Sequence, residues 1–166
     1  DEMLQMGDLN NEAYFSEVEE ARRIIAEYIG SRPEEIAFTI NTSSGMNMAA
    51  YMLRENKGKI LYPSMEFPTS IHIFKRLGYP CIKVDDIQGA YPISHFKNAL
   101  QQDIKYIIHS QVQSFNGFRQ NLTNFGKFCR ENSLISIINA TQAFGAFDID
   151  VQRDNIDILV SNGLKW

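Results

Sequence analysis

Cysteine is scarce in this chain of 166 residues: Cys81 and Cys129 are far apart, with neither CxxC nor metal-ligand spacing. That argues against a disulfide framework and a cysteine zinc site, and reduced thiols in a cytoplasmic protein are expected. Histidine is limited to His72, His95 and His109, no two at helical ligand spacing, so no metal centre is expected. Positive charge is not in excess. The 16 Lys and Arg are scattered and outnumbered by 20 Asp and Glu, which leaves a net charge of -4 and no basic field for nucleic acid. No apolar run approaches the roughly 20 residues of a membrane span, and a signal peptide is not expected. GxGxxG and Gly-Lys-Ser/Thr are missing too, which counts against a dinucleotide fold and a P-loop.

What is present is ordinary globular material, 44% hydrophobic and 22% charged, sufficient for one core. The chain begins Asp-Glu and stops one residue after a lysine of interest, so it reads as a piece of a longer protein. Apolar positions Ala13, Phe15, Val18, Ala21, Ile24, Ile25 and Tyr28 recur at helical period, which predicts an amphipathic helix over 13–29 ended by Gly30 and Pro33. Strands are expected at 36–40, 58–62, 81–84, 104–109, 134–138 and 156–160. Helices are expected near 45–55, 69–77, 93–102 and 121–132. Strand and helix alternate without repeats or linkers. That pattern calls for a three-layer α/β/α fold with a mostly parallel sheet. Right-handed crossovers then bring the loops at 41–45, 63–68, 110–117 and 139–145 to one rim.

The same rim receives Ser161-Asn162-Gly163-Leu164-Lys165-Trp166, at the carboxyl end of the last strand, where open α/β sheets keep their ligand crevices. Packed against apolar surface, the Lys165 ammonium would lose hydration, and the neutral amine could attack a carbonyl. The plainer alternative is an exposed lysine in a turn. Asn41-Thr42-Ser43-Ser44-Gly45 offers hydroxyls and free amides at a helix start, a phosphate cradle or a simple N-cap. Phe67, in a loop between Glu66 and Pro68, could stack on a flat ligand or tuck under its loop. The amide-rich stretch from Ser110 through Gln113 and Ser114 to Arg119 could bond a polar ring substituent or satisfy its own backbone. Asn139 and Gln142 follow a very apolar strand and either point into the crevice or form a solvated turn.

Read together, the stretches EEIAFTINTSSGMN, EFP, SQVQSFNGFR, NATQAFG and SNGLKW, in that order, resemble the class V branch of fold-type I pyridoxal-phosphate enzymes. That branch includes cysteine desulfurases, isopenicillin-N-epimerase-like proteins and kynureninases; the epimerase-like group is the most similar, over about residues 12–166. The resemblance implies the cofactor-binding part of a large domain, with a small domain and an N-terminal segment outside this chain. It implies a pyridoxal 5'-phosphate enzyme acting on a small amino-acid substrate, as an aminotransferase, epimerase or lyase, in a homodimer. Lys165 would form the lysine aldimine and shuttle protons. Thr42 and Ser43 would hold the phosphate with Asn162 or Ser161, Phe67 would stack on the ring, and Gln142 would bond its phenolic oxygen. Gln113 and Ser114 would approach the same side of the cofactor.

Two departures from the family pattern stand out. Asn139 takes the place of an aspartate that pairs with the pyridine nitrogen, and a neutral amide stabilises a pyridinium much less than a carboxylate does. The loss could amount to on the order of 10²-fold in rate, so a weakened or non-catalytic protein on the same scaffold is the alternative expectation. Phe67 takes the place of the histidine of desulfurases and cannot move protons, which disfavours desulfuration. Neither Cys81 nor Cys129 suits the nucleophilic cysteine of that reaction, since both fall in apparent core segments.

Overall fold

The structure, a computed structural model, describes residues 11–166. The chain divides after Phe38 into two compact units. In the described part of the first, helix α1 (Asn11–Ile29) ends at Gly30, whose φ of +68° lies in the left-handed region that favours glycine. A single 3-10 turn, Pro33–Glu35, follows. Arg22 donates from Nη1 to the Ile36 carbonyl, and its guanidinium lies 5.1 Å from the centre of the Phe38 ring.

The second unit is an alternating α/β segment: α2 (Thr42–Met52), β1 (Lys59–Pro63), α3 (Pro68–Arg76), β2 (Cys81–Val84), α4 (Ile93–Ala99), β3 (Ile104–Ser110), α5 (Leu122–Glu131), β4 (Ile135–Asn139) and β5 (Ile158–Val160). The five strands are all parallel, in the order β2-β1-β3-β4-β5. Successive strand residues face opposite sides, which sorts the apolar residues into two cores. Ile60, Tyr62, Tyr106, Ile108 and Ile137 pack with Met46 and Ala50 of α2 and Ile71 and Phe74 of α3. Leu61, Ile107 and Ile138 pack on the other face with Phe96 of α4 and with Phe125 and Phe128 of α5. Burial on both faces is why the strands read as continuous apolar runs rather than alternating ones. The expected three-layer α/β/α architecture is therefore present.

Two expectations fail. Residues 36–40 form no strand, and Ile40 is 92% exposed. An extended run is stabilised by a neighbour that pairs its amides. No described strand pairs with this stretch, and the Ile36 carbonyl is taken by Arg22. The second helix starts at Thr42 rather than near Gly45, because Asn41 is the N-cap: its Oδ1 accepts from Ser44 N at 2.9 Å. Two of the three residues gained, Thr42 and Ser43, line the cleft at the rim.

Candidate active site

Parallel register sets the level of the rim. Ser110 at the end of β3 pairs with Asn139 at the end of β4, and Asn139 pairs with Val160 at the end of β5. The loops leaving these three strands therefore start side by side. They surround a cleft of about 250 Å³ together with the first turn of α2 and the Phe67–Thr69 corner that opens α3.

Thr42 is the hub on the α2 side. Its hydroxyl lies 2.8 Å from that of Thr141 and accepts from Asn162 Nδ2 at 3.2 Å. Asn162 is itself held, its Oδ1 accepting from Leu164 N at 3.3 Å. Gly45 makes this approach possible, since a Cβ there would meet Val160 Cγ1 at 2.6 Å. The amides of Thr42 and Ser43, in the first turn, have no acceptor within the helix, and with the Ser43 hydroxyl they edge the cleft. The helix dipole places partial positive charge at the same point.

Asn139 lines the cleft from below and is 4% exposed. Its Oδ1 accepts from Thr141 N at 3.0 Å and its Nδ2 donates to Ser70 Oγ at 2.9 Å, with Ser70 fully buried in α3. Gln142 also lines the cleft, and its carbonyl accepts from Trp166 Nε1 at 3.2 Å. Gly145, at φ +86°, lets Trp166 lie against it; a Cβ at that position would meet Trp166 Cβ at 2.9 Å. Phe67, 42% exposed, presents its ring from the N-cap of α3.

Beneath Phe67 and Ser110 lies a buried carboxylate. Glu66 accepts from Phe67 N at 2.9 Å, from Ser110 N at 2.7 Å, from Ser110 Oγ, and from Gln113 Nε2 at 3.2 Å. Both carboxylate oxygens are thus met by donors. His109 sits behind this group in an aromatic cage, its ring centre 5.1 Å from that of Phe125 and 5.6 Å from that of Phe96. Desolvation pulls its pKa below the usual imidazole value, against the opposing charge of Glu66. Its Nδ1, 2.6 Å from the Ser110 carbonyl, carries the proton as donor in the neutral form this burial favours.

Thr42, Ser43, Phe67, Asn139, Gln142, Asn162 and Lys165 thus line one cleft, as does Ser114. Gln113 does not line it: the side chain is 1% exposed and turns inward to Glu66. The carboxylate drew it there, because an unpaired buried carboxylate is far costlier than an unmet amide oxygen, and Gln113 Oε1 is left without a partner. Ser161 is also off the lining, its hydroxyl donating to the Asn162 carbonyl at 3.4 Å. Lys165 reaches the cleft but is exposed rather than packed against apolar surface. The turn through Gly163 and Leu164 projects outward, Leu164 being 87% exposed, and the tail is tied back at Trp166 instead. Sequence reasoning missed Glu66, Ser70, Thr69 and Thr141. Glu66 and Thr141 lie inside the stretches EFP and NATQAFG, but nothing in the letters separates a buried carboxylate from a solvated one.

Burial pushes the Cys129 thiol up to about 12 and the Cys81 thiol up to about 11, so neither supplies a ready nucleophile. Among the described residues no three His, Cys, Asp or Glu gather to hold a metal, and no helix is long and apolar enough to cross a membrane.

The fold and the cleft define an open α/β protein with an amine, an aromatic face and a hydroxyl-bearing helix N-terminus at the carboxyl rim of a parallel sheet. The chain belongs to the aminotransferase class-V family, whose model matches residues 5–166, and members of this family are pyridoxal-phosphate-dependent enzymes. It is 30% identical over 151 residues to the mitochondrial cysteine desulfurase of Candida albicans, covering 86% of this chain and 31% of that protein. Similarity to the cysteine desulfurase IscS of Shewanella pealeana is 27% over 156 residues, or 89% of this chain and 39% of that one. Among solved structures, SspA in complex with cysteine superposes with a TM-score of 0.84 at 25% identity, over 95% of this chain and 48% of that chain. The chain spans about a third of the length of the curated relatives it matches.

Proposed function

We propose that this chain is part of the cofactor-binding large domain of a pyridoxal-phosphate-dependent enzyme that acts on an amino acid, as an aminotransferase, epimerase or lyase. The observation that carries this reading is the meeting of Thr42, Ser43, Phe67, Asn139, Gln142, Asn162 and Lys165 around one cleft, although they are scattered from residue 42 to residue 165. The residues fit the group on three counts. Two helix amides without partners and adjacent hydroxyls suit a phosphate, an exposed ring suits a flat heterocycle, and an accessible primary amine suits an aldehyde.

Bound there, pyridoxal phosphate would supply an electron sink for bonds at the α-carbon of an amino acid. Thr42 and Ser43 would bind its phosphate, with Asn162 fixing the Thr42 hydroxyl. Phe67 would cover one ring face, and Gln142 and Ser114 would orient its polar edge. Among the described residues Lys165 is the sole amine lining the cleft, and its Nζ would take and return the substrate proton. A homodimer in the cytoplasm accords with the family resemblance and with the two free thiols. Cysteine is the first substrate to test, given the names of the relatives, although Phe67 cannot titrate and so argues against desulfuration itself.

A non-catalytic protein on this scaffold is the second reading, favoured by the neutral Asn139 and the exposed Lys165. The full-length protein, purified with pyridoxal phosphate and titrated with amino acids one at a time, separates the two. Visible absorbance that changes with an amino acid supports the enzyme; absorbance that responds to none supports the scaffold.

A further inference from the structure

The charge carried by the heterocycle in this cleft can be argued from the groups that surround it, and the argument rests on the proposed function. Among the described residues, those lining the cleft include no carboxylate; they offer hydroxyls, carboxamides, the Phe67 ring and the Lys165 amine. The Glu66 carboxylate behind Ser110 already accepts from four donors. The fixed field at the cleft, that of the first turn of α2, is positive.

Asn139 is not free to turn. A backbone N–H can donate only to the amide oxygen, so Thr141 N fixes Oδ1, and Nδ2 is directed to the buried Ser70 hydroxyl. One N–H of Nδ2 remains after that bond. A heteroaromatic cation at Asn139 would be desolvated beside a neutral amide with no anion to pair it. An unprotonated ring nitrogen is an acceptor and matches the remaining N–H.

We propose that Asn139 holds the cofactor with its ring nitrogen unprotonated, donating through Nδ2, and that Ser70 and Thr141 are the positioning residues that set this orientation. The cofactor would then withdraw electrons less strongly than its pyridinium form, and the favoured reactions are those that place little charge on the ring nitrogen. Asn139→Asp reverses the arrangement without losing a bond, since Thr141 N–H and a rotated Ser70 O–H can both donate to a carboxylate.

The test uses the full-length protein loaded with pyridoxal phosphate carrying nitrogen-15 in the ring, read by nitrogen NMR. The expected wild-type resonance lies in the neutral-pyridine region and stays there as the pH is lowered to the limit of stability, while Asn139→Asp moves it upfield into the pyridinium region. A wild-type pyridinium resonance overturns the inference and leaves the proposed function standing, and it decides alone if the variant folds poorly. A resonance that stays neutral in a folded Asn139→Asp protein also overturns it. A protein that takes up no labelled cofactor overturns the proposed function and this inference with it.

Discussion

Asn162 reaches back 120 residues along the chain to donate from Nδ2 to the Thr42 hydroxyl, 3.2 Å away. This bond joins the loop after the last strand to the first turn of α2, and it couples the Lys165 segment to the helix end that would hold a phosphate. Thr42→Val keeps the shape of the side chain and removes the hydroxyl. The expected loss is about 1–2 kcal/mol of cofactor affinity, roughly 5- to 30-fold in Kd. Fluorescence titration of the apo-protein with pyridoxal phosphate measures it, and an unchanged Kd contradicts the role given to Thr42.

Close approach at Gly45 should matter in the same way. Gly45→Ala drives a methyl to within 2.6 Å of Val160 Cγ1, on a stiff side chain that is 8% exposed. Overpacking of this kind costs about 1–3 kcal/mol, and it pushes α2 away from Asn162. Both the denaturation midpoint and the cofactor affinity should fall. A fall in stability with affinity intact would mean that the helix end tolerates the shift.

The order of the elements, the parallel sheet and the meeting of four loops were legible because buried parallel strands announce themselves as apolar runs and because crossovers have one hand. Residues 36–40 carry the same signal, yet no described strand pairs with them. A strand is a property of its neighbour as much as of its own sequence. The inward turn of Gln113 and the exposure of Lys165 were not legible for a related reason: a sequence position says which loop a side chain leaves from, but not whether a buried carboxylate will pull it inward or a turn will throw it out. Glu66 was not legible as a buried group, since its burial depends on donors at 110 and 113, more than forty residues away.

Glu66→Gln tests that buried carboxylate. The substitution keeps the size but sets an amide N–H₂ against donors at Phe67, Ser110 and Gln113. A loss of about 2–3 kcal/mol in unfolding free energy is expected, read from denaturant midpoints at constant m-value. A change under about 0.5 kcal/mol, the range of ordinary surface substitutions, would show that the carboxylate is not held as described.

His109 gives the fold a pH dependence whose sign follows from burial. Its folded pKa is depressed, chiefly by desolvation, whereas the unfolded imidazole titrates near 6.5, so below about that pH the unfolded chain binds a proton that the folded chain refuses. Stability is therefore unaffected above that value and falls as the pH drops below it, by up to about 1.4 kcal/mol per pH unit until the folded pKa is reached. Urea unfolding across this range should show the slope in the wild type and lose it in His109→Phe. A slope that survives the substitution assigns it to another group.

The most direct test of the account is where the cofactor attaches. The full-length protein, loaded with pyridoxal phosphate, reduced with borohydride and digested, should yield a single modified peptide, with the pyridoxyl mass on Lys165 and none after Lys165→Ala. A modification spread over surface lysines, or a protein that stays unmodified at Lys165 after loading, would contradict the account.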